Sequence, residues 1–123
     1  MENEISRKII GAAIEVHRVL GGPGLLESIY EEALFYELIT QGLHCKRQLP
    51  VPVKYKNIII RDPLMLDILV ENSVIVEVKA TEQDHSIYET QLLTYLRLSK
   101  LRLGLLLNFG KKHLKDGISR VIL

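Results

Sequence analysis

The chain has 123 residues, 47% of them hydrophobic and 25% charged, with a formal net charge of +1. That balance suits a globular chain with a real core and excludes disorder or a strongly basic, phosphate-coating protein. Cys45 is the only cysteine, which excludes a disulfide framework or thiolate metal cluster and makes a reducing cytoplasm the expected compartment.

Residues Ile9, Ile10, Ala13, Ile14, His17 and Leu20 fall at helical spacing and predict a first helix from Ile5 to Leu20. Its Glu15, His17 and Arg18 exclude a membrane span or a signal peptide. "GGPG" (21–24) stops that helix, and it is no phosphate loop because it lacks the Gly-Lys-Ser/Thr ending and a preceding strand. A second helix is predicted from about Leu25 to Gln41, with Gly42 in the left-handed position that closes it.

The pattern then turns rich in Val and Ile. "LPVPVKYKNIIIRDPLMLDILVENSVIVEVKA" predicts three strands, with turns at Lys56-Asn57 and around Asn72. Pro50 and Pro52 place the first strand at an edge. A third helix, Ser86 to Ser99, is expected to bury Leu92, Leu93, Tyr95 and Leu96. "LRLGLLLNF" (101–109) is too uniformly apolar for a surface helix and reads as a central strand covered on both faces; "ISRVIL" adds a last strand. The order describes one α/β domain, residues 1–123, with a mixed sheet between helices.

Three charges interrupt the most apolar run. Alternation puts Ile75, Glu77 and Lys79 on one strand face, and Asp67 with Met65 and Leu69 on the corresponding face of its neighbour. Leu66, Ile68 and Val70 then share the opposite, apolar face. A three-residue loop, Glu71-Asn72-Ser73, makes the two faces agree. It opposes Asp67 with Glu77, Met65 with Lys79 and Ile68 with Val76, with Asn72 or Ser73 left-handed. Two facing carboxylates with an ammonium beside them repel unless a cation joins them, and oxygen-only ligation suits Mg²⁺ or Mn²⁺. Lys79 would then orient a water or stabilise charge on a phosphate. The competing reading is an Asp–Lys–Glu network that only holds the hairpin together.

"GLLESIY" (24–30) fits Gly-x-x-Glu-x-x-Tyr, preceded by "AAIEVHRVLGGPG" and followed by "LDILVENSVIVEVKA", "QLLTYL" and "GLLLNFG". Together these resemble the GxxExxY family of the PD-(D/E)XK nuclease-like superfamily, over nearly the whole chain. The resemblance implies a restriction-endonuclease-like core, αβββαβ, and metal-dependent phosphodiester hydrolysis. It matches Asp67, Glu77 and Glu27 to metal-binding carboxylates, with the Val78 carbonyl as a further ligand, and Lys79 to the catalytic lysine. Gln91 and Tyr95 match a Gln-x-x-x-Tyr element that supports or contacts substrate. Leu66 stands where the "PD" proline would be.

Residue chemistry alone leaves alternatives. Glu27 also suits the first turn of its helix, and Tyr30 shares a face with it that points toward the sheet and, on this reading, the substrate. Gln91, among leucines, reads as a buried amide in need of partners. His17 reads as a satisfied core histidine, and His85 and Tyr88 as substrate contacts or simply a helix start. "CKRQ" (45–48) and "GKKHLK" (110–115) are the candidate basic patches for nucleic-acid binding, serving either as phosphate contacts or as solvated surface. The expected function is an Mg²⁺- or Mn²⁺-dependent nuclease acting on DNA or RNA; a further reading, from size alone, is a homodimer whose partner supplies the missing basic surface. The alternative is an inactive nuclease-fold module that binds nucleic acid or protein.

Overall fold

Helix α1 (Glu2–Val19) buries Ile5, Ile9, Ala12, Ala13, Val16 and His17, a stripe rotated from the one predicted, so that Ile14 lies on the exposed side. A computed structural model describes residues 1–60 and 62–123 of the chain. In it, α1 ends where Gly21 takes φ +86° and Gly22 N–H returns to the His17 carbonyl. Helix α2 (Glu27–Thr40) ends in the same way. Gly42 is left-handed as expected, and the N–H groups of Gly42 and Leu43 reach back to the carbonyls of Ile39 and Leu38. Among the described residues, no helix is long and apolar enough to cross a membrane.

Five strands form one sheet in the order β1 (Cys45–Val51), β4 (Leu64–Val70), β5 (Val74–Lys79), β6 (Leu103–Asn108), β7 (Ile118–Ile122). Only β5 and β6 run parallel, joined by α3 (Ser86–Ser99). β1 lies at an edge, which Pro50 within it requires. A small separate hairpin, β2 (Lys54–Tyr55) and β3 (Ile58–Ile59), turns at Lys56-Asn57. Cys45, on β1, has its thiol pushed up to about 11 by burial and the nearby Glu71 carboxylate.

Each face of the sheet carries its own core. Val74, Val76, Val78, Leu103, Leu105 and Leu107 face α1 and α2, whereas Ile75 and Leu106 face Leu92 and Leu96 of α3. β6 is therefore covered on both sides. Gly104 lets α3 approach it, since a Cβ there would sit 2.8 Å from Leu92. The predicted burial of Leu93 and Tyr95 is only partial; both pack at the margin of this second core.

Beyond β6 the chain is pinned to the end of β5. Phe109 N–H donates to the Lys79 carbonyl at 2.7 Å, and Asn108 Oδ1 accepts from Thr81 and Gly110 N–H at 3.1 and 2.9 Å. A Cβ on Gly110 would lie 2.3 Å from Thr81 N. Gly110→Ala is therefore expected to destabilise the fold by about 1–3 kcal/mol, read as a lower urea midpoint at unchanged m-value.

Candidate active site

The hairpin register follows the expected three-residue loop. Ile68 pairs with Val76, Leu69 with Ile75 and Val70 with Val74, and Glu71 and Asn72 take the left-handed positions at φ +53° and +51°. The ladder then stops. β4 continues to pair with β1 as far as Val51–Leu64, while β5 continues only with β6. The sheet forks at Asp67 and Glu77, so Met65 pairs with Pro50 and not with Lys79. Leu66 departs from the expected face as well. It joins the α3-side core while Ile68 joins the other, so β4 twists sharply at Asp67.

Side chains replace the missing ladder bonds at the fork. Asp67 Oδ2 accepts from Val78 N–H at 2.8 Å, and Glu77 Oε1 accepts from Asp67 N–H at 3.3 Å. Glu77 is buried and Asp67 half-buried. Burial pushes the Asp67 carboxyl up to about 6, against the pull of the Val78 N–H and aided by the Glu31 and Glu27 charges. Burial and the Asp67 charge push Glu77 up to about 8. The pair is electrostatically unsatisfied, and among the described residues no Lys or Arg forms an ion pair with either member. Two hard oxygen donors short of positive charge fit a cation such as Mg²⁺, which binds through one or two carboxylates and keeps waters for a phosphate. Among the described residues no three His, Cys, Asp or Glu side chains gather to hold an ion. The expected third carboxylate, Glu27, is exposed in the first turn of α2.

Lys79 lies on the Glu77 face, but its ammonium rests 4.6 Å from the Tyr88 ring centroid. His85 packs edge-on to Tyr88 at 5.2 Å. These residues line a cleft of about 250 Å³ between the end of β5, the start of α3 and the approach to β7. Tyr95, on α3, lies near enough that burial and then the Glu77 and Asp67 charges push its hydroxyl pKa up. Gln91 shares that helix face one turn earlier, but it is exposed to solvent and is not the buried amide expected.

Tyr30 is placed elsewhere. It is fully buried, its ring stacks on Phe109 at 4.7 Å, and its hydroxyl donates to the Gly22 carbonyl at 2.7 Å while accepting from Leu25 N–H. With both its surface and its hydroxyl committed, it has nothing to offer a substrate. His17 is a satisfied core histidine, with Nε2 3.0 Å from the Lys111 carbonyl oxygen.

Three residues at the site were not anticipated. Glu31, one turn beyond Glu27, is buried and paired with Arg47 at 3.0 Å. Gln48 holds a left-handed backbone, φ +49°, inside β1. Its amide donates to both Glu31 oxygens at 3.1 Å and lies 3.5 Å from Asp67 Oδ1. Such a backbone costs about 1–3 kcal/mol in a non-glycine residue, and here it aims an amide between two carboxylates. The four-residue spacing of Glu27 and Glu31 was the available signal.

No curated protein and no solved structure matches the chain. A family model described as the PD-(D/E)XK nuclease superfamily matches residues 3–121.

Proposed function

The chain belongs to the PD-(D/E)XK nuclease superfamily, and from that membership we propose that it is a divalent-metal-dependent nuclease of the GxxExxY branch. Its mixed five-stranded sheet flanked by helices is the restriction-endonuclease-like arrangement of that superfamily. The observation that carries the reading is the pair of interlocked carboxylates at the sheet fork, buried Glu77 and half-buried Asp67, with Lys79 on the same strand as Glu77.

Asp67 and Glu77 would hold Mg²⁺ or Mn²⁺, with the Val78 carbonyl as a further oxygen donor and Glu27, whose charge bears on Asp67 but which stands outside the pair, facing the ion's waters. When bound, such an ion supplies positive charge to the phosphoryl oxygens and to an attacking water. The remaining work falls to the chain itself. Lys79 donates from its ammonium to a non-bridging phosphate oxygen and stabilises the charge that develops there. Tyr88 holds the Lys79 ammonium over its ring beside the site, so the side chain is already partly ordered when substrate arrives. The Tyr95 hydroxyl and the Gln91 amide steer the phosphate from α3, and His85 meets the neighbouring nucleotide at the cleft mouth. Gln48 donates to Asp67 and Glu31, keeping the Asp67 carboxylate oriented.

The test is cleavage of labelled single- and double-stranded DNA and RNA with Mg²⁺ or Mn²⁺, run beside Asp67→Ala. Metal-dependent cutting that disappears in the variant is the expected result. Folded wild-type protein that cuts no substrate would remove the reading. A second reading, a catalytically silent nucleic-acid-binding module, is favoured by one observation: the Lys79 ammonium rests on Tyr88 and makes no ion pair with the carboxylates.

A further inference from the structure

The net charge of +1 conceals a separation of charge. Carboxylates Glu27, Glu31, Asp67 and Glu77 surround the fork. A groove of about 610 Å³ between the end of α1 and the segment after β6 is lined instead by Arg18, Lys112, His113 and Lys115, with no carboxylate among its walls. Lys112 and Lys115 are exposed and form no ion pair among the described residues. Arg18 is paired with Glu15 at 2.9 Å, an exposed i,i+3 contact that holds it weakly. Among the described residues no Phe, Tyr or Trp lines the groove, so it offers charge to a backbone and no stacking face to a base.

Groove and fork adjoin the same end of the sheet. β5 and β6 are parallel, so both finish at the same edge of the sheet, where Phe109 N–H meets the Lys79 carbonyl. Two residues later the Lys111 carbonyl contacts His17, and the Lys111 ammonium is tied to Asp84 at 3.2 Å and to the Glu82 carbonyl at 2.9 Å. Across the groove, Gly22 is held by the hydroxyl of Tyr30, from the same helix turn that carries Glu27 and Glu31. The packed set Tyr30, Phe109 and His17 thus backs the groove, and Phe109 ties it to the end of the strand that carries Glu77 and Lys79.

We propose that this groove carries the sugar-phosphate backbone of the nucleic acid, flanking the phosphate at the fork, with Lys112 and Lys115 as its principal contacts and Arg18 as a third. This rests on the nuclease reading for the identity of the polyanion. Binding there is independent of base sequence and falls with salt, because each phosphate contact releases a counterion.

The experiment is fluorescence anisotropy of labelled single- and double-stranded DNA and RNA with EDTA present, so that binding is read without cleavage. Wild type is compared with Lys112→Ala/Lys115→Ala and with a charge-matched control, Arg7→Ala/Lys8→Ala, at the opposite end of α1. The groove variant is expected to lose affinity uniformly across sequences, with a log–log salt slope shallower by about 2, while the control stays near wild type. Equal affinity and slope in groove variant and wild type, an equal loss in the control, or no wild-type binding at low salt would each overturn the proposal. A separate assay with Mg²⁺ distinguishes the two failures. Groove-dependent binding without metal-dependent cleavage keeps the groove and removes the nuclease. Cleavage lost in Asp67→Ala, with the groove variant still binding as wild type does, keeps the nuclease and removes the groove.

Discussion

Lys79→Ala is expected to lower metal-dependent cleavage at least about a hundredfold, the scale of losing one preorganised donor to developing charge. The ammonium sits on the Glu77 face of β5 and is steadied by Tyr88, so it can act without ordering a flexible chain during the reaction. It forms no ion pair with the carboxylates, so its removal should leave metal affinity within a fewfold of wild type. Lys79→Arg should recover little, since a planar fork differs from a compact point charge. Single-turnover cleavage measured alongside a metal titration separates these effects. A rate loss below about tenfold would remove Lys79 from the chemistry.

Without metal, the protein is expected to be more stable near pH 5 than near pH 8. Glu77 has an ordinary value of 4.5 and is pushed up to about 8 in the folded chain; Asp67 moves the same way. Between these limits the native state holds more protons than the unfolded one, so stability falls as pH rises through the window. For a tightly coupled pair the effect is on the order of 1–3 kcal/mol. Glu77→Gln should flatten the profile and raise the metal-free midpoint near pH 8, while abolishing stabilisation by Mg²⁺. In the wild type, Mg²⁺ at about a hundred times its Kd should add about 2.7 kcal/mol. Urea unfolding across pH, with and without Mg²⁺, reads all three. A wild-type profile that matches Glu77→Gln would show that the pair carries no electrostatic strain.

The hairpin register was legible because alternation in "SVIVEVKA" and "LMLDILV" admits only an odd-length loop, and the fold adopts three residues. Gly42 and the twice-covered β6 were legible for similar reasons, since local chemistry leaves few choices. The fork was not. It arises because the Asp67 and Glu77 carboxylates take backbone N–H groups that a continuous ladder would use, a competition strand patterns do not encode. Glu31 was missed because its partners Arg47 and Gln48 come from an edge strand 16 and 17 residues away. Tyr30 was misplaced because helical spacing gives a shared face but does not say that a glycine loop lies within reach of the hydroxyl.

Cys45 has a use of its own. Burial and the Glu71 carboxylate push its thiol up to about 11, so it holds less thiolate at neutral pH than an ordinary cysteine, and the thiolate is the form that alkylates. A cysteine placed at an exposed position such as Val19, next to Arg18, would react far faster than the native one. The natural chain is thus nearly a blank for maleimide dyes, and a single reporter fluorophore can be attached beside the groove without first deleting a cysteine.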